Sequence, residues 1–117
     1  MRFYLVTVEG TQHVGDSWIV APLVPLRSLN ERGPSLIMPR AGEELELRLP
    51  DELVMIAHIA SFGIDAWRDS EGNLYTNTDP ADPSLTLTIT CDSEVSEVPP
   101  GTEIWLKNAR SAEVSAQ

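Results

Sequence analysis

Residues 42–67, GEELELRLPDELVMIAHIASFGIDAW, decide the fold. Leu45, Leu47 and Leu49 alternate with Glu44, Glu46 and Arg48, the period of a strand with one face buried and the other in water. Pro50-Asp51-Glu52 breaks the alternation, because proline withdraws a ladder N–H and aspartate favours turns. The run that follows, from Leu53 to Phe62, is apolar on both faces and so does not display its period. Asp51-Glu52 can open a helix there, and Gly63 can end it. Against that, Val54, Ile56 and Ile59 are β-branched, and the strand before them needs a hydrogen-bonded neighbour. The favoured reading is a hairpin of two antiparallel strands, with Val54, Ile56, His58, Ala60 and Phe62 on one face of the second.

Downstream, Asp69-Ser70-Glu71-Gly72-Asn73 has turn chemistry, between a strand ending near Trp67 and a short one over 74–78. After a loop at Asp79-Pro80-Ala81-Asp82-Pro83, Ser84–Cys91 alternates Leu85, Leu87 and Ile89 with Thr86, Thr88 and Thr90, a half-buried strand. Pro99-Pro100-Gly101 precedes a last strand over Thr102–Lys107, and residues 108–117, small and polar, are expected to form a disordered tail.

Upstream, Arg2–Val8 reads as a strand, with Phe3, Leu5 and Thr7 on one face and Tyr4, Val6 and Val8 on the other. Gly10–Asp16 reads as a loop, and Ser17–Ala21 as a strand that stops at Pro22 and pairs with the first. Prolines at 22, 25, 34 and 39 turn residues 22–40 into a long excursion with room for one helical turn at Arg27–Arg32. Its apolar side chains, Leu23, Val24, Leu26, Leu36, Ile37 and Met38, are expected to pack down on the domain. The expectation is an all-β fold, a small antiparallel β-barrel over residues 1–107 with a proline-rich excursion.

The formal net charge is −10, and residues 43–103 hold 14 of the 18 acids beside only Arg48 and Arg68. Such a surface repels phosphate and attracts basic partners. Phe3–Val6 is too short for the apolar region of a signal peptide, no stretch approaches the ~20 apolar residues of a membrane span, and Cys91 is the single cysteine. A cytoplasmic protein is expected, without a disulfide and with no membrane partner.

Few residues assemble into recognisable chemistry. His13 and His58 lack the spacing of a zinc site, so no metal and no cofactor is expected; His58 reads as a packed core histidine and His13 as exposed. Asp69-x-Glu71-Gly72-Asn73 lacks the twelve-residue ligand spacing of a calcium loop, and Asp79 and Asp82 read as loop residues. Cys91, His58 and Asp65 can be named as a nucleophile, base and acid, but no spacing supports them. Trp18, Trp67 and Trp105 each fall on an expected strand, as packing residues.

From Gly42 onward the order of features resembles the second-domain β-barrel of translation GTPases of the elongation factor Tu type. The matching pieces are Gly42-Glu43 with Leu45–Leu49, Met55–Ser61, Leu85–Ile89, and Gly101 with Ile104 and Leu106. The first half departs from that pattern, and without a G-x-x-x-x-G-K-[ST] sequence no GTP hydrolysis carries over. The resemblance implies a stand-alone barrel that touches RNA or the ribosome, for which Arg27, Arg32 and Arg40 are the candidate residues.

The charge split points first to a different role, a non-enzymatic binding or adaptor module whose Glu43, Glu44 and Glu46 face a basic protein partner. Inhibition of a basic nuclease, as by an immunity protein, is a further alternative.

Overall fold

The computed structural model describes residues 2–33, 36–64, 66–76, 81–91 and 98–110, without the side chains of Ala66 and Trp67. Its elements are β1 (Phe3–Thr7), β2 (Gly10–Val14), β3 (Ser17–Pro25), α1 (Leu26–Arg32), β4 (Glu44–Arg48), β5 (Val54–Gly63), β6 (Ala66–Arg68), β7 (Leu74–Thr76), β8 (Ser84–Cys91) and β9 (Glu103–Leu106). The run after Pro50 is strand: β5 pairs antiparallel with β4, from Arg48 opposite Val54 to Glu44 opposite His58.

Seven strands form one antiparallel sheet in the order β1-β9-β4-β5-β8-β3-β2, and β6 and β7 form a separate hairpin. The strands at the two ends of that order are consecutive in the chain, joined only by Val8 and Glu9. The sheet therefore curls into a half-barrel until its ends meet there. Val8 exchanges hydrogen bonds with the β9 side, donating to the Thr102 carbonyl and accepting from the Gly101 N–H, both at 2.8 Å. One residue later the Glu9 N–H donates to the Ala21 carbonyl of β3, also at 2.8 Å.

The inner face gathers the alternating residues. Leu45 and Leu47 of β4, Ala57 and Ile59 of β5, Leu87 and Ile89 of β8, and Ile104 and Leu106 of β9 are all buried. Leu29, the buried residue of α1, joins the same cluster.

Turn geometry follows the local sequence. Gly15 has φ +60°, and the two-residue connection Gly15-Asp16 between β2 and β3 is the hairpin loop that favours glycine at its first position. Between β4 and β5 the Leu49 N–H donates to Leu53 O (2.8 Å) and the Glu52 N–H to Leu49 O (3.0 Å), while Asp51 Oδ1 accepts from the Leu53 N–H (3.1 Å). Gly101, at φ +94°, lies under Pro50, whose Cγ is 3.2 Å from where a Cβ would stand.

Several expectations change for identifiable reasons. Gly10–Val14 is a strand, not a loop, so β3 takes β2 and β8 as neighbours while β1 pairs with β9. β3 runs past Pro22 because its pairing with β8 breaks between Val20 and Val24, which spares the proline a ladder position. A register shift between Tyr4 and Val6 overrides simple alternation in β1, so Leu5, Val6 and Val8 are all buried. A second shift, between Ile59 and Ser61, separates Phe62, which packs against the core, from Val54, Ile56 and His58 on the outer face. His58 is thus an outer-face residue opposite Glu44 and Thr90, not a core histidine.

Within the excursion, Val24 and Leu29 pack down, but Ile37 and Met38 are exposed. The domain also extends beyond Lys107: Ala109 packs on the core, and the Arg110 carbonyl accepts from the Ile37 N–H at 2.8 Å. Expectations placed on Asp65, Asp79, the Trp67 side chain and residues 111–117 fall outside the described set.

Leu47→Ala is expected to cost about 2–5 kcal/mol, the usual range for an emptied core leucine. Val54→Ala, at a residue 57% exposed, is expected to stay within about 0.5 kcal/mol. Urea unfolding of both variants measures the difference, and equal losses would contradict the assignment of inner and outer faces.

Candidate partner-binding surface

The acids at and just before β4 each meet a cation of this same chain. Glu43 pairs with Arg110 (3.2 Å) and accepts from the Arg40 backbone N–H, and Glu44 pairs with Lys107. Glu46 lies between Arg2 (3.2 Å) and Arg48 (2.7 Å), its side chain only 8% exposed. Arg48 also covers the Trp105 ring at 4.5 Å, and the indole N–H donates to Glu103 (3.1 Å). Tyr4 meets the Trp105 ring edge-on at 5.4 Å, and its hydroxyl bonds Thr7 Oγ1. Cross-strand register sets this lattice, since Tyr4 stands opposite Trp105, and Glu46 opposite both Trp105 and Ile56. Glu43, Glu44 and Glu46 are therefore matched internally and do not form a free negative face.

The three arginines of the expected RNA-facing set are dispersed. Arg27 pairs with Asp82 at 3.1 Å. Arg32 folds back on β1: Nη1 donates to Tyr4 O (2.7 Å) and Nη2 to Leu5 O (3.4 Å), and the guanidinium lies over the Phe3 and Tyr4 rings. Those carbonyls lie at the register shift of β1, which among the described residues has β9 alone as its neighbour in the sheet. Gly33 follows immediately, and a Cβ there would come within 2.7 Å of the Phe3 ring. Arg40 borders an open groove lined by Ile37, Met38, Pro39, Ala60 and Phe62.

The remaining constellations resolve into structural roles. Cys91 stands opposite Ala57 on the inner face and His58 opposite Thr90 on the outer one, so they point to opposite sides of the sheet and form no dyad. Asp69 accepts from the backbone N–H groups of Glu71 and Asn73 (both 2.9 Å), from Asn73 Nδ2 (3.2 Å) and from the Tyr75 hydroxyl (3.1 Å), which makes it the organiser of the β6–β7 turn. These bonds, the Asn73 N–H foremost, hold its carboxyl below the ordinary value of 3.8. Among the described residues no group of His, Cys, Asp and Glu side chains is placed to hold a metal ion, and no helix is long and apolar enough to cross a membrane.

Among the described residues no ion pair involves Glu9, Asp16, Asp51 or Glu52. Glu9 sits at the meeting point of the sheet ends, Asp16 in the β2–β3 turn, and Asp51 and Glu52 in the β4–β5 turn. The β4–β5 turn approaches Glu9 through consecutive contacts, Pro50 over Gly101 and Gly101 bonded to Val8. Next to it, 10–26 and 84–91, the segments of β2, β3 and β8, carry no lysine or arginine at all. Leu53, 62% exposed, and Val54 add apolar surface beside the acidic turn. The sequence reading missed this arrangement because it assigned Gly10–Asp16 to a loop. Gly15-Asp16 between Val14 and Ser17 was the signal, a Gly-Asp pair at a two-residue hairpin.

Arg32→Lys retains the charge but loses the fork that reaches two carbonyls, and is expected to lower stability by about 1 kcal/mol in urea unfolding. An unchanged midpoint would mean that the guanidinium does not close the β1 edge. For Asp69 the folded pKa lies below the unfolded one, so its contribution is complete above the unfolded value and disappears as pH falls through the folded value. Protection of the Asn73 amide against exchange is expected to fall in that window, and Asp69→Asn to abolish the pH dependence.

No protein-family model matches this chain, and no match is found among curated proteins or solved structures.

Proposed function

We propose that the protein is a non-enzymatic binding module for a basic protein segment, and that the acids engaging it are Glu9, Asp16, Asp51 and Glu52. The observation that carries this reading is the backbone of Glu52, at φ +73° the one non-glycine residue with positive φ among the described residues. An L-residue in that region costs about 1–2 kcal/mol that glycine would avoid. Among the described residues the Glu52 side chain makes no hydrogen bond or ion pair that offsets this cost, whereas Asp51 beside it closes the turn. A carboxylate held at a strained, exposed turn fits a role in recognition. The uncompensated charge around it supplies attraction and orientation for a cationic partner.

Contact with RNA is less well supported, because Arg27 and Arg32 are engaged within the domain and Arg40 stands apart from them. Phosphate binding needs several cations on one surface.

Glu52→Gly separates stability from binding. Urea unfolding is expected to show a net gain of up to about 1 kcal/mol, the relief of the backbone less glycine's greater freedom in the unfolded chain. Titration with octalysine at low salt is expected to show an affinity several-fold lower than that of the parent, with a shallower salt dependence. An unchanged affinity, or octalysine shifting no amide at residues 9, 16, 51 and 52, would overturn the proposal.

A further inference from the structure

The two ends of the sheet are finished differently. At β1 the outer edge is closed by Arg32, whose guanidinium takes the carbonyls of Tyr4 and Leu5. At β2 no such device appears among the described residues. β2 pairs with β3 in unbroken register over Gly10–Val14, and it contains neither a proline, a lysine nor a bulge, the usual protections of an edge strand. Gln12, His13 and Val14 are exposed, Val14 by 51%.

The hairpin fixes which backbone groups point outward. A two-residue loop makes Val14 and Ser17 the hydrogen-bonded pair that closes it. Alternation then makes His13–Trp18 and Thr11–Val20 non-bonded pairs, so the N–H and C=O of Thr11 and His13 are directed away from β3. His13 is held flat against Trp18, with ring centroids 4.6 Å apart and planes 11° from parallel, which fixes the strand that carries it. The result is a short ladder of two donors and two acceptors without a strand partner among the described residues.

We infer that this edge accepts an extended segment of a partner protein as an added antiparallel strand, one that carries lysine or arginine at both ends. This rests on the binding reading above and specifies its mode. Charge selects the occupant. Glu9 precedes the strand and Asp16 follows it, and no lysine or arginine lies on β2, β3 or β8 to offset them. Five residues of β2 span about 14 Å, so cations flanking a five-residue strand reach both carboxylates. A second copy of this chain would bring its own net charge of −10 and its own Glu9 and Asp16 to the same edge. Backbone pairing supplies the affinity in such additions, and side chains the selectivity.

The test uses the full chain, 15N-labelled, with a synthetic peptide of alternating threonine and valine between two lysine pairs. Expected are exchange protection and shifts at the Thr11 and His13 amides, and an affinity reduced at least about tenfold by Thr11→Pro, which removes an outward N–H that an edge strand can forgo. A peptide N-methylated at alternate residues is expected to lose binding to the same degree, and it leaves the protein unaltered should Thr11→Pro disturb the fold. Octalysine affinity is expected to survive Thr11→Pro.

Lysine-peptide binding with shifts confined to Asp51 and Glu52, insensitive to N-methylation, would overturn strand addition and leave the basic-partner reading intact. Failure of both peptides to bind would overturn the two together. Equal affinity for the peptide with glutamates in place of lysines would overturn the choice of occupant, as would dimers of the free chain that protect Thr11 and His13.

Discussion

The rest of the fold depends on one short constraint: Val8 and Glu9 must belong to both ends of the same sheet. Val8 bonds to the β9 side and Glu9 to β3, and two adjacent residues cannot be far apart. Seven strands must therefore curl until the first and last meet, and the curl turns the faces of β4, β5, β8 and β9 inward onto one another. The buried leucines and isoleucines fill the space so enclosed. Curvature on this scale is accommodated at the irregular pairings, in β1 near Leu5, in β3 between Val20 and Val24 and in β5 near Ala60.

Beyond the meeting point β1 and β2 each keep one edge without a strand partner among the described residues. The excursion after β3 supplies the cover for β1, because α1 delivers Arg32 to the carbonyls at its register shift. Arginine suits the place for geometric reasons: its fork reaches two acceptors while its plane lies on Phe3 and Tyr4. β2 lies on the far side of β3 in the strand order, and no hydrogen bond from the excursion to β2 is found among the described residues. One edge is consequently finished by the chain itself and the other is left with its hydrogen-bonding groups outward.

Much of the architecture was legible in the alternation of Leu45–Leu49 and of Leu85–Ile89, which needs nothing beyond a period of two. The charge pattern was legible as composition but not as surface. Glu43, Glu44 and Glu46 are adjacent in sequence, yet Arg2, Lys107 and Arg110, three of the four cations that meet them, come from the two ends of the chain. Local reading sees the acids together and the bases absent, because pairing across strands is a property of register. Strand bulges were invisible for a related reason: an extra residue inverts every later position, as with Phe62, and no single residue type announces it.

The same pairing gives the remaining charge its meaning. With the β4 acids neutralised, the half of the sheet formed by β1, β9 and β4 is a mixed lattice of matched charges around Trp105. The half formed by β8, β3 and β2 has no cation, and it is the half with the open edge. An edge strand without proline, lysine or bulge is normally a hazard, since another copy can pair with it. Here like charge opposes that pairing, because two molecules approaching edge to edge would juxtapose Glu9 and Asp16 with their own counterparts. The acidity that opposes pairing of the molecule with itself is the same acidity that the proposed cationic strand would meet, so on that proposal one distribution of charge bears on both.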